Sequence, residues 1–233
     1  LPPRARAMLV QDAPLATAVT ARGFAARYVG HTVVALGAHP DDIELGIGGT
    51  LALLTRAGVR VVMAIVSVPA EYAVRVGEAM DSAAILNCRL RVLLEGQCRR
   101  IEDLKNYQLV GLLDDLVKEC RPAALLTHGP TDFHGDHVQV YHAAVAAQRL
   151  ASFDLYSYAP TMCRPVPVPF QPRAYVDISS TIDTKMCAIA AHKSQFYSRG
   201  LNIEFCRETA RMNGRMVGVE YAEGLDVSKI VFA

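Results

Sequence analysis

The stretch Thr32-Val-Val-Ala-Leu-Gly-Ala-His39-Pro40-Asp41-Asp42-Ile43-Glu44 decides the reading of this chain. Its first half, Thr32 to Ala38, is an apolar run without polar alternation, the pattern of a parallel strand buried on both faces. The run then delivers an imidazole and two adjacent carboxylates onto one short turn, stiffened by Pro40. Imidazole with carboxylate is ligand chemistry for a divalent cation, and the second carboxylate is spare for moving protons.

Outward from that turn, apolar runs alternate with helical patterns. Val59–Ser67, Arg89–Glu95 and Ala123–Thr127 read as three further strands, the first two without polar alternation. Helical spacing occupies Gly48–Ala57, Val74–Leu86 and Glu102–Cys120, the last stopped by Arg121-Pro122. After His137 a helix is expected to Leu150, then strands over Phe153–Tyr158 and Arg173–Ile178, and a helix over Ile182–Tyr197. Strand–helix–strand repetition predicts an α/β fold with a doubly wound, mostly parallel, Rossmann-like sheet and helices on both faces. Residues 1–30 read as an arm followed by an amphipathic helix (roughly Leu15 to Tyr28), and 31–233 as one domain. The proline-rich segment 163–172 excludes helix and central strand, leaving a connector or a pocket rim.

Composition narrows the classes of function. Hydrophobic residues make up 52% and charged residues 20%, ordinary for a soluble enzyme. A net charge of +1 without basic runs gives no reason to expect nucleic acid as a partner. No stretch has the apolar length of a transmembrane segment, and the first thirty residues lack a secretion signal, so a cytoplasmic protein is expected. The six cysteines form no CxxC pair and read as idle thiols.

A second polar cluster, His134-Gly-Asp136-His137, follows the fourth strand as the first follows strand one. In an open parallel sheet both therefore open onto the same edge, where ligands collect. Singly, each residue has a bland explanation: a hydrogen-bonded surface histidine, or an Asp pair capping a helix. Together, His39, Asp42 and His137 supply the three protein ligands of a catalytic zinc site. Gly46-Ile47-Gly48-Gly49 makes a weak phosphate loop, because Leu51 stands where the third glycine belongs. These glycines are instead expected to let the backbone pass close to the site.

Ala38-His-Pro-Asp-Asp-Ile-Glu44 resembles the AHPDDxE signature of the LmbE-like, PIG-L-type N-acetylglucosaminyl deacetylases, and His134-Gly-Asp-His137 their HxDH motif. Arg75-Val-Gly-Glu78-Ala79 is similar to the family's RxxEA helix, Lys185 with His192-Lys-Ser194-Gln195 to its K…HxSQ segment, and Tyr221-Ala-Glu223 to its closing YAE. The chain departs at Asn87, where the family usually has glycine, and at both ends. The resemblance implies zinc, with Fe2+ as the alternative, on His39, Asp42 and His137. It implies Asp41 as general base, His134 at the developing oxyanion or leaving amine, and Asp136 as the partner orienting His134. Arg75 and His192 fall at positions used around the sugar. Arg75 has an equally weighted alternative, an i,i+3 pair with Glu78 on a solvated face, and His192 a packed helix position.

What the resemblance implies chemically is hydrolysis of the acetamide of an N-acetylated amino-sugar glycoside. A narrower similarity points to deacetylases of teicoplanin-type glycopeptides in antibiotic biosynthesis; thiol-glycoside and chitooligosaccharide precursors are the alternatives. A silent sugar-binding protein and a non-heme iron oxygenase are the competing classes, the latter disfavoured by strand–helix alternation. Oligomeric state is open.

Overall fold

The computed structural model describes residues 23–159, 170–197 and 202–232. They form a seven-stranded sheet in the order β3-β2-β1-β4-β5-β7-β6. The strands are β1 (Thr32–Gly37), β2 (Arg60–Ile65), β3 (Arg89–Val92), β4 (Ala124–His128), β5 (Asp154–Tyr158), β6 (Ala174–Asp177) and β7 (Ala222–Lys229). The five from β3 to β5 are mutually parallel. β7 runs antiparallel to both β5 and β6. The α/β, mostly parallel architecture expected from the sequence is the one observed.

Alternate residues feed two core layers. Val33, Ala35, Val61 and Met63 face one side with α1 (Asp42–Arg56), α2 (Tyr72–Ile85), α5 (Ile182–Ala190) and α7 (Glu204–Val217). Val34, Leu36, Val62 and Ala64 face the other with α3 (Asn106–Cys120) and α4 (Gly135–Ala147). Burial on both faces is why these strands read as continuous apolar runs. β3 is the exception: it lies at the sheet margin, where Arg89 and Arg91 reach Glu119 on α3. The expectation of full burial for 89–95 is corrected accordingly, and β4, read as the less regular strand, is buried along its length.

The helix expected over Ile182–Tyr197 is interrupted; α5 ends at Ala190 and a short α6 (Lys193–Phe196) follows, because His192 between them turns inward. α7 and β7 lie in a stretch for which the sequence suggested no elements. The expected helix at Leu15–Tyr28 lies mainly outside the described residues, and its last part is one 3-10 turn, Ala25–Tyr28. Most of the proline-rich segment also lies outside them. Cys88, Cys98, Cys120, Cys187 and Cys206 are free thiols. Among the described residues no helix is long and apolar enough to cross a membrane.

Candidate metal centre

β1 and β4 are neighbours, with β2 and β5 continuing the sheet in opposite directions. The crevice above their carboxyl ends is a topological switch point, where this class of sheet takes its ligands. The turn leaving β1 is tight: a Cβ on Gly37 would lie 2.9 Å from Ile43 Cγ1. Asp41 adopts φ 89°, a left-handed conformation that costs a non-glycine residue about 1–3 kcal/mol. The turn is closed by the His39 amide, which donates to Asp42 Oδ2 at 2.8 Å. On the β4 side, His134 caps α4, its Nδ1 accepting from the Asp136 amide at 3.2 Å.

The two clusters meet. One donor atom each from His39, Asp42 and His137 lie within 4.8 Å of one another. His137 Nε2 is 3.3 Å from Asp42 Oδ1, and His39 Nδ1 is 3.6 Å from Asp42 Oδ2. Each histidine is held from behind by a carboxylate. Asp132 Oδ2 bonds His137 Nδ1 at 2.9 Å, and Asp136 Oδ2 bonds His39 Nε2 at 3.0 Å. These contacts place protons on the far nitrogens and leave His137 Nε2 and His39 Nδ1 as donors, the usual outer support of a metal-binding imidazole. Two imidazole nitrogens and a carboxylate are a donor set that fits a zinc-like divalent cation with a position open.

Asp136 therefore differs from its expected place: its carboxylate lies on His39, and only its backbone reaches His134. Asp132 and His128 were not anticipated. His128 ends β4, is wholly buried, and its Nε2 accepts from the Ala38 amide at 2.9 Å. Asp132 had a signal in its spacing, five residues before His137. His128 lies one residue beyond the expected strand Ala123–Thr127 and has no metal-ligand spacing of its own.

Charge is graded across the centre. Burial works against ionisation of Asp42, but the His137 charge, followed by close contacts with the His128, His137 and His39 rings, holds its carboxyl well below the usual range. Burial and the charge of Asp42 push the neighbouring Asp41 up to about 7. Burial would lower His39, yet its bonds to Asp136 and Asp42 raise it to about 9. His137 rises to about 10, burial being outweighed by the Asp42 charge and the Asp132 bond. His134 is lowered, by burial and then by the charges of His137 and His39. A neutral His134 whose Nδ1 accepts carries its proton on Nε2.

The weaker sequence matches form a layer behind this centre. Arg75 is buried, its Nη2 donating to the Pro40 carbonyl at 3.2 Å. It does not pair with Glu78, whose two oxygens each accept from Ser194 at 2.7 Å. His192 is 0% exposed and bonds Glu44 at 2.8 Å, while Ser82 donates to the same Glu44 oxygen. His192 thus stands behind the His39–Glu44 turn and does not line the crevice, a correction to its expected sugar contact. Lys185 and Glu223 explain the remaining motifs. Helix α1 kinks at Ile47; Lys185 Nζ donates to the Leu45 carbonyl at 2.8 Å, and Glu223 accepts from the Gly49 and Thr50 amides at 2.9 and 2.6 Å. Gly46 and Gly49 serve packing: added Cβ atoms would lie 2.2 Å from the Tyr158 ring and 2.7 Å from Ile178.

The chain has relatives among known proteins. Residues 34–148 match the family model described as PIG-L: GlcNAc-PI de-N-acetylase. The chain belongs to the PIG-L family. Among curated relatives, this PIG-L-type chain is 28% identical over 172 residues to "Uncharacterized deacetylase YaiS" of Escherichia coli, covering 70% of this chain and 90% of the relative. It is 25% identical to diacetylchitobiose deacetylase of Thermococcus kodakarensis, covering 83% and 81%. Among solved structures, the conserved protein TT1542 of Thermus thermophilus superposes with TM-score 0.71 at 27% identity, covering 86% and 96%. Two further neighbours share the fold at lower identity. They are a 4-carboxy-2-hydroxymuconate hydratase of Pseudomonas putida (TM-score 0.70, 22%, covering 87% and 98%) and a zinc-inhibited form of teicoplanin deacetylase (0.65, 18%, covering 86% and 100%).

Proposed function

We propose that this PIG-L-type protein is a metal-dependent hydrolase that removes the acetyl group from an N-acetylglucosaminyl substrate. The observation that carries this reading is the meeting of His39, Asp42 and His137 donor atoms beside a separate carboxyl, Asp41, whose proton affinity is raised towards neutrality. The family description and the diacetylchitobiose deacetylase relative support an N-acetylated sugar as substrate. A glycopeptide pseudoaglycone is the narrower candidate, with chitooligosaccharides and thiol glycosides beside it.

His39, Asp42 and His137 would hold the cation, zinc by donor type. Bound there, it supplies Lewis acidity that lowers the pKa of water towards about 7 and polarises the amide carbonyl. Asp41 is the base that takes the proton from the attacking water; a group with pKa near the working pH is suited to that transfer. The new bond joins the water oxygen to the acyl carbon. His134 Nε2–H points its hydrogen bond at the oxygen where negative charge develops. As the carbon–nitrogen bond breaks, Asp41 or His134 returns a proton to the amine, giving acetate and a free amino sugar. Asp132 and Asp136 orient the two imidazole ligands, Arg75 steadies the Pro40 carbonyl, and His192 acts through Glu44 as a positioning residue.

The test is mass spectrometry of N-acetylated glycosides incubated with the zinc-loaded protein. Loss of one acetyl group with matching acetate release is expected. Intact glycosides across chitooligosaccharides, thiol glycosides and glycopeptide pseudoaglycones would contradict the reading, and favour a silent sugar binder or a reaction such as hydration.

A further inference from the structure

His128 takes no part in the reaction proposed above, yet it is wholly buried beside the candidate centre. As the last residue of β4 it lies among groups that are themselves fixed. Its ring stacks flat on the ligand His137, with 3.8 Å between centroids and 8° between planes. It also meets the Tyr158 ring, centroids 5.2 Å apart, and the Tyr158 hydroxyl is anchored by donating to the Leu36 carbonyl at 2.9 Å. His128 Nε2 accepts from the Ala38 amide at 2.9 Å and lies 3.4 Å from Asp42 Oδ2. One imidazole therefore touches the exit of β1, the ligand carboxylate and a ligand histidine. Donor atoms of His128, Asp132 and His137 also cluster within 4.8 Å, but they do not make a second cation site. Two nearly parallel rings cannot aim their lone pairs at one point, and His128 Nε2 is already engaged. Its Nδ1 has no hydrogen-bond partner among the described residues, so the ring is held on that side by packing.

We propose that His128 is the positioning residue that fixes the plane of the His137 imidazole and so preorganises the cation site. This deepens the metal-dependent reading and rests on it. A histidine ring turns broadly about its outer side-chain torsion. The bond between His137 Nδ1 and Asp132 pins one ring atom and leaves the ring free to rock about that contact. A flat neighbour removes this freedom, because tilting His137 would drive its edge into a close-packed ring. His137 Nε2 then stays beside Asp42 Oδ1, 3.3 Å away. The Ala38 bond does a different job. It ties the same imidazole to the turn that carries His39 and Asp42, and its loss would leave a buried amide unsatisfied. The ring therefore governs the cation, and the nitrogen governs the fold.

The experiment separates the two. His128→Phe keeps a flat ring without the acceptor, His128→Gln keeps an acceptor without the ring, and His128→Ala keeps neither. Each is compared with wild type for zinc affinity by chelator competition, for the visible spectrum of the cobalt-loaded protein, and for denaturation of the metal-free chain. His128→Gln and His128→Ala should weaken zinc about 10–100-fold, the usual effect of removing support behind a metal ligand, and should shift the cobalt spectrum. His128→Phe should lose less than about tenfold and keep the wild-type spectrum, while unfolding at lower denaturant than His128→Gln. Should His128→Ala or His128→Phe fail to fold, His128→Gln still decides. Wild-type affinity and spectrum in His128→Gln, or a loss in His128→Phe equal to that in His128→Gln, would overturn the assignment. Wild-type protein that binds neither zinc nor cobalt would overturn the centre itself, and the role of His128 with it.

Discussion

Asp41 and Asp42 are adjacent in sequence and opposite in electrostatics. Asp42 faces three histidines and stays ionised; Asp41, on a left-handed backbone, carries a pKa raised to about 7 by burial and the Asp42 charge. That split is how two neighbouring carboxylates divide between ligand and base. Asp41→Asn should lower acetate release by roughly 10²–10⁴-fold, the usual worth of a general base, without emptying the cation site; turnover within tenfold of wild type would contradict the assignment. The histidines make a second expectation. In the metal-free protein His39 and His137 have pKa values of about 9 and about 10, above the usual 6.5, so both carry protons at neutral pH. A cation must displace a proton from each. Zinc affinity should therefore weaken as pH falls below about 9, and neutral-pH binding should release protons, read as a dependence of the calorimetric enthalpy on buffer ionisation. Binding heat indifferent to the buffer would contradict it. The same protons stabilise the metal-free fold below the unfolded pKa, and that stabilisation is lost as pH rises through about 9 to 10.

At the scale of elements, the Lys185–Glu223 pair is the decisive contact. Both side chains are buried, 2.5 Å apart, and each also satisfies backbone groups freed by the kink at Ile47 in α1. Lys185→Met leaves a buried carboxylate without its cation and should cost about 3–5 kcal/mol, measured by chemical denaturation. Glu223→Gln added to Lys185→Met should recover part of the loss. Equal stability of wild type and Lys185→Met would sink this role. The kink also explains what the sequence hid. The helix expected from Gly48 is the segment after the break at Ile47, and what the sequence hid is the helical turn from Asp42 before it, where Gly46 and Gly49 leave room for Tyr158 and Ile178. The break at His192 was hidden for a similar reason: Glu44, far away in sequence, draws the ring inward. β7 inserts between β5 and β6, a pairing of distant segments that leaves little local signal.

For the whole molecule, the parallel half of the sheet was legible because strands buried on both faces carry unbroken apolar runs. The two polar clusters that meet were legible because each follows such a run. The rear supports were not: the bonds from Asp136 to His39 and from the Ala38 amide to His128 cross the crevice and depend on where β1 and β4 lie side by side. That placement brings His39 and Asp42 against His137, residues almost a hundred positions apart. The most direct test is the zinc content, by plasma mass spectrometry, of wild type, Asp41→Asn, His39→Ala and His137→Ala purified in parallel. One zinc per chain is expected in wild type and Asp41→Asn, and almost none in either histidine variant. Retention of full zinc by His39→Ala and His137→Ala, or an empty Asp41→Asn, would contradict a single cation gripped jointly by the two stretches.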